Sequence, residues 1–183
     1  RHAAEALARD PDHGPAYLLR AVTCLDAEPI RARALYEAAR RHAPHDADSW
    51  YNLGVHLEGR RQRPEAMAAY RRALVYSPGH HGALLNGTQL IRIHEHFEEA
   101  LALARCLQQV DPEHWAGYAH EAISLQHLGF LDEADAVFER AFTLSPDPTL
   151  LHWEHHFSLL AREMFAPAWA KYELRFACAD ANG

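Results

Sequence analysis

Pro11, Pro44, Pro78, Pro112 and Pro146 stand 33, 34, 34 and 34 residues apart, and each ends an apolar run in a similar setting: ARDP, RHAP, VYSP, QVDP and TLSP. Proline donates no backbone hydrogen bond and pushes the residue before it out of the helical region, so a helix boundary recurs at each one. Between consecutive prolines, apolar residues recur at 3.6-residue spacing with no strand pattern to cover. Such a unit cannot bury its apolar face alone. Repeated at a fixed period, it buries that face on its neighbours, and the chain becomes a stack of similar helical units.

The interiors of the period are as regular as its boundaries. In the copy WYNLGVHLEGRRQRPEAMAAYRRALVYSP, Trp50, Leu53, Gly54 and Leu57 precede Ala66, Tyr70, Ala73 and Pro78. Tyr118, Ala122, Leu125, Ala134, Phe138, Ala141 and Pro146 repeat the spacing. A third copy keeps Leu84, Ile91, Ala100, Ala104 and Pro112 but carries Gly87 and Thr88 in the middle. The first full copy has Tyr17, Ala21, Cys24, Ala32, Tyr36, Ala39 and Pro44, one residue short at its internal turn. The pattern resembles the tetratricopeptide (TPR) consensus W-x2-L-G-x2-Y…A-x3-F…P. That resemblance implies an all-α fold, a right-handed superhelical solenoid of antiparallel helix pairs. Small residues at Gly54, Ala66, Ala122 and Ala134 would let paired helices approach, with Trp50, Tyr70, Tyr118 and Phe138 filling the space beside them. One domain is expected over 1–177, with a partial repeat at 1–10, full repeats at 14–46, 47–80, 81–114 and 115–148, a diverged pair at 149–177 and a tail at 178–183. Arg1 already lies in helical pattern, so the chain reads as cut from something longer.

Composition excludes several classes of function. A content of 49% apolar and 23% charged residues is that of an ordinary soluble globular chain. The formal charge of −7, with the 17 arginines read as spread along the chain, speaks against nucleic acid. No apolar run reaches the length of a membrane span and no signal-type start is present, so no membrane is expected. Cys24, Cys106 and Cys178 form no C-x-x-C pair, which points to a reducing, cytoplasmic setting, with the periplasm kept open. Lys171 is the single lysine, and the weight of Ala, Arg and His reads as a bacterial coding bias.

The stretch HWEHHFSLL, residues 152–160, raises the question of a metal. His152 and His156 are one helical turn apart, but Glu154 follows His152 by two residues rather than one, as H-E-x-x-H would require, and no third ligand is evident. In the repeat frame His152 takes the consensus tryptophan position, and His155 and His156 take the Leu–Gly pair. Packed histidines are the expectation. No metal, no cofactor and no catalytic constellation is read from these residues, so the chain is not expected to be an enzyme by itself.

In the TPR resemblance, the concave wall is formed by first-helix positions beside the packing residues. Here these are Leu18, Leu19 and Val22; Tyr51, Asn52 and Val55; Leu85, Asn86 and Gln89; Ala119, His120 and Ile123; and Trp153, Glu154 and Phe157. Asn52, Asn86, His120 and Glu154 follow one another at 34 residues, similar to the asparagine ladder of O-linked N-acetylglucosamine transferases. A carboxamide donates and accepts at once, which suits a peptide unit. The alternative is that Asn52 and Asn86 are simply solvent-facing. The chaperone-binding clamp of TPR proteins has no counterpart at Tyr51, Val55, Leu85 and Gln89. In the last pair, FAPAWAKYELRF places Trp169, Tyr172, Glu173, Arg175 and Phe176 in a spacing that resembles G-W-x2-Y-E-x-R-[WF], with Ala168 where glycine is usual. That motif ends the TPR array of many bacterial glycosyltransferases, so these residues are expected to form a docking edge for a following catalytic domain or for self-association. The resemblance implies a module that binds an extended polypeptide and recruits a substrate or partner for such an enzyme. A free-standing scaffold for a pilus, secretion or envelope complex is the alternative.

Overall fold

Every regular element among the described residues of the computed structural model is a helix. The structure describes residues 2–11, 14, 16, 17, 20, 21 and 29–177, with backbone alone at 2, 29 and 174–177. Ten helices are bounded among the described residues, in order: α1 (His2–Arg9), α2 (Pro29–His42), α3 (Ala47–Gly59), α4 (Arg63–Tyr76), α5 (His81–Ile93), α6 (Phe97–Val110), α7 (Trp115–His127), α8 (Leu131–Leu144), α9 (Thr149–Ala161) and α10 (Phe165–Ala177). This is the all-α repeat fold that the 34-residue period predicts. None of these helices is long and apolar enough to cross a membrane.

The chain divides into two compact units, Arg1–Leu90 and Ile91–Gly183. In the first, α3 packs on α2 and α4. In the second, α7 packs on α6, α8 and α9, and α9 packs on α8 and α10.

One small residue recurs at the same place in successive repeats. Ala32, Ala66, Ala100, Ala134 and Ala168 follow one another at 34 residues and are fully buried. Four residues after Ala32, Ala66 and Ala134 come Tyr36, Tyr70 and Phe138, the largest wholly buried side chains. Burying a ring of this size stabilises the fold by about 1.5–3 kcal/mol. The Tyr70 ring leaves no room for a side chain at Gly54, where a Cβ would stand 2.6 Å from it. In the second unit, Ala122, Ile123, Leu125, Ala134 and Phe138 form the matching core.

The helix ends explain the strictness of the period. The backbone N–H groups of Gln62, His96, Phe130 and Met164 return to the carbonyls of Leu57, Ile91, Leu125 and Leu159, five residues earlier. Just before these donors, Arg61, Glu95, Gly129 and Glu163 adopt positive φ of 61, 63, 87 and 58°. A left-handed residue after the helix lets the chain satisfy its last carbonyls and turn back. At the other boundary, Trp50 Nε1 donates to the carbonyl of Pro44 at 3.0 Å, and the Tyr118 hydroxyl donates to that of Pro112 at 3.1 Å. The consensus aromatic thus ties each of these repeats to the proline that precedes it.

Candidate polypeptide-binding surface

The expected groove residues fall into three groups. Leu18, Leu19 and Val22 lie outside the described residues. In the first unit, Tyr51, Asn52, Leu85 and Asn86 are half-buried, while Val55 and Gln89 are exposed. Tyr51 is held by its surroundings: its ring lies 4.8 Å from that of His80, and a Cβ at Gly82 would stand 2.7 Å from it. The two amides are partly engaged. Asn52 Nδ2 donates to the Asp48 carbonyl, one turn earlier in α3, at 2.7 Å. Asn86 hydrogen-bonds the Tyr70 hydroxyl, which itself donates to Glu58 Oε2 at 2.7 Å. Burial and the Glu58 carboxylate hold the Tyr70 phenol well above its ordinary range.

In the second unit, two expected surface positions are interior. Ile123 is 3% exposed and His120 9% exposed, because residues 119–125 of α7 are buried without interruption between α6, α8 and α9. A helix enclosed on several sides has no solvent face, so the 34-residue spacing alone misplaces them. Burial, with Arg92 and then His114 nearby, pushes the His120 imidazole down to about 3. Its Nδ1 has no hydrogen-bond partner among the described residues. Arg92 is the residue that sequence reading missed. Its charge faces both His120 and Glu154, burial lowers its pKa while Glu154 opposes that shift, and its Nε is buried without a partner among the described residues. An arginine inside the apolar run LIRIH was the available signal. Trp153 and Glu154 are half-buried, and Phe157 is 44% exposed. Trp153 packs against His156 at 4.5 Å and Tyr172 at 5.4 Å between ring centres.

The three histidines of HWEHHFSLL are engaged by protein groups. His155 and His156 are buried, as their places in the repeat frame predict. His155 Nε2 donates to Asp135 Oδ1 at 2.9 Å, and Asp135 also accepts from Ser158 and Arg162. The imidazole of His155 stacks on Phe138 at 4.7 Å. Burial lowers its pKa, with Lys171 adding to the shift while Asp135 and Glu139 oppose it. His156 Nδ1 donates to the Trp153 carbonyl. His152 stacks on Phe142 and accepts from Lys171 Nζ at 3.0 Å; its pKa is lowered by burial, then by Lys171 and His155, against Glu139. No group of three or more His, Cys, Asp or Glu among the described residues is placed to hold a metal ion.

At the C-terminal helix, Trp169 is 62% exposed and stacks on the half-buried Tyr172 at 5.1 Å, and Glu173 is exposed. The side chains of Arg175 and Phe176 lie outside the described residues.

No family model matches the chain, and none of the curated proteins does. Solved structures do. YrrB, described as a TPR protein with an unusual peptide-binding site, superposes with a TM-score of 0.85 at 16% identity, over 97% of this chain and 92% of that one. MamA (residues 41 to the end) from Desulfovibrio magneticus RS-1 gives 0.81 at 16% identity, over 93% and 97%. Pseudomonas aeruginosa pilF gives 0.69 at 20%, over 92% and 77%. The helix pairs, the buried alanines at 34-residue spacing and these superpositions together establish the fold as that of the tetratricopeptide-repeat proteins.

Proposed function

We propose that the chain is a protein-interaction module that holds an extended polypeptide on the first-helix surface of its repeats. The observation that carries this reading is the pair of carboxamides, Asn52 and Asn86, at one repeat spacing on half-open helix faces beside the exposed Val55 and Gln89. Nothing among the described residues donates to Asn52 Oδ1, so that amide retains an acceptor for a peptide N–H. Trp153, Glu154 and Phe157 offer a second, more aromatic contact surface in the other unit. The peptide-binding site in YrrB's description supports a polypeptide ligand. Peptides selected from a random phage-displayed library supply the probe. Asn52→Ala with Asn86→Ala should weaken the selected peptides by about tenfold or more, each lost hydrogen bond counting for about 0.5–1.5 kcal/mol. Unchanged affinity, with circular dichroism showing an intact fold, overturns the assignment.

The finer reading is the partner-recruiting region of a bacterial glycosyltransferase. It rests on the Trp169, Tyr172 and Glu173 spacing and is supported by the exposure of Trp169. Trp169, Tyr172, Glu173, Arg175 and Phe176 would then dock a catalytic domain. The coding frame beyond Gly183 tests it: a nucleotide-sugar domain supports the reading, and a stop codon leaves the free-standing scaffold of a pilus, secretion or envelope complex, with self-association as the use of that edge.

A further inference from the structure

The arginines are not spread evenly, because composition over the whole chain averages two opposite regions. Residues 29–76 carry nine arginines against five acids, a net +4 within a chain of −7, and residues 91–183 carry a net −9. In the folded first unit, three of these arginines line an open groove of about 410 Å³ between α2, α3 and α4. Its apolar floor is Trp50, Leu53 and Leu57, and its rim carries Arg33, Arg40 and Arg72. Those floor residues recur at three and four along α3 and lie on the flank turned away from Tyr51, Asn52 and Val55. The groove is therefore separate from the surface described above.

Its chemistry is specific. The Arg40 guanidinium sits over the Trp50 ring at 4.5 Å and that of Arg72 at 5.8 Å, so the indole is bracketed by cations. Arg40 Nε is buried and has no hydrogen-bond partner among the described residues. Arg33 already pairs with Glu37 at 3.2 Å, and Glu65 also lines the groove. A smaller crevice sharing Arg33 adds Arg60 and the 82%-exposed Ile30. Four arginines thus face two glutamates, one of them already paired. A half-buried guanidinium whose Nε lacks an acceptor among the described residues, beside an open apolar floor, matches a ligand with carboxylates next to an apolar side chain.

We propose that the groove between α2, α3 and α4 binds an acidic peptide segment of another protein, seating an aliphatic or aromatic side chain on Trp50 and placing Asp or Glu carboxylates on Arg40 and Arg72. Planar guanidiniums accept carboxylates in a forked geometry, and their stacking on an indole pre-orients them for it. Binding is independent of Asn52 and Asn86.

The test is fluorescence anisotropy at low salt with a short labelled peptide in which Asp and Glu alternate with Leu and Phe, its C-terminus amidated. Binding weakens as salt rises. Arg40→Gln with Arg72→Gln weakens it about 10- to 100-fold. Titrating the unaltered protein shifts the Trp50 indole N–H resonance, which keeps the test sound if the arginine variant does not fold. Equal binding of a peptide with Lys in place of its acids, unchanged affinity in a folded arginine variant, or a stationary Trp50 resonance overturns the proposal. A much tighter complex with the free-carboxylate form of the peptide, or displacement by single-stranded DNA at lower concentrations than by unlabelled peptide, overturns the assignment to acidic side chains.

Discussion

The pairs α3–α4 and α9–α10 share a backbone frame and fill it in opposite ways. Gly54 and Tyr70 in the first correspond, three repeats on, to His156 and Tyr172 in the second. Gly54 leaves room for the Tyr70 ring, which is wholly buried, and a Cβ on Gly87 of α5 would stand 3.2 Å from Tyr70 Cβ. In α9 an imidazole stands where that glycine was, 5.6 Å from the Tyr172 ring, and no described helix follows α10 to close over it. Tyr172 stays half-buried and carries the exposed Trp169 on its outer face. One pair encloses its aromatic ring in the core, and the other leaves aromatic surface open to solvent.

The largest expected effect tests that contrast directly. Tyr70→Ala should destabilise the protein by about 3–5 kcal/mol, the range for deleting a large buried ring, with the loss of its bond to Glu58 included. Tyr172→Ala should cost about 1–2 kcal/mol, because its ring already meets solvent. Urea melts of the two variants decide it. Equal losses would show that the terminal pair is packed as tightly as the inner one.

A second difference between the units is their response to acid. His56 in the first unit and His120, His152 and His155 in the second all have imidazoles held below the ordinary value of 6.5, chiefly by burial. The unfolded chain takes up these protons first. Stability linked to the neutral rings is therefore full above about pH 6.5 and is lost as pH falls below it, for His120 over a window reaching about 3. With three such rings against one, residues 91–183 should lose amide protection before residues 29–90 as pH is lowered from 7 towards 5. His120→Leu removes an unpartnered buried nitrogen and should flatten the decline. An unchanged pH dependence in that variant would show that His120 titrates normally.

These contrasts mark how far the sequence could be read. The proline period and the alanines at 32, 66, 100 and 134 were legible because helix ends and close packing positions tolerate few residue types. The site was less legible. His120 and Ile123 shared the register of Asn52 and Val55, yet burial depends on how many helices surround α7, which no spacing records. Asn52 looked available for a ligand, but a helical carboxamide can bond the carbonyl one turn earlier, and here it does. Arg40 and Arg72 were visible as charges, while their convergence on Trp50 needed α2 and α4 to pack on either side of α3.

The smallest expected effect lies in the turns, and it asks whether the two pairs differ in backbone as well as in side chains. Arg61 closes α3 and Glu163 closes α9, and both hold positive φ, as Glu95 does; Gly129 alone occupies this position without a Cβ clash. A left-handed L-residue is strained by about 1–2 kcal/mol, and glycine relieves this while adding up to about 1 kcal/mol of unfolded-chain entropy. The difference favours glycine by a few tenths to about 1 kcal/mol, so Arg61→Gly and Glu163→Gly should each raise the melting temperature by about 1–4 °C. Gly129→Ala should lower it by a similar amount, since nothing lies within 4 Å to clash with the new Cβ and the strain is then purely of the backbone. Calorimetry on the three variants checks this. Should Arg61→Gly stabilise and Glu163→Gly not, the terminal turn is relaxed in solution, and the looseness of the α9–α10 pair extends from its rings to its backbone.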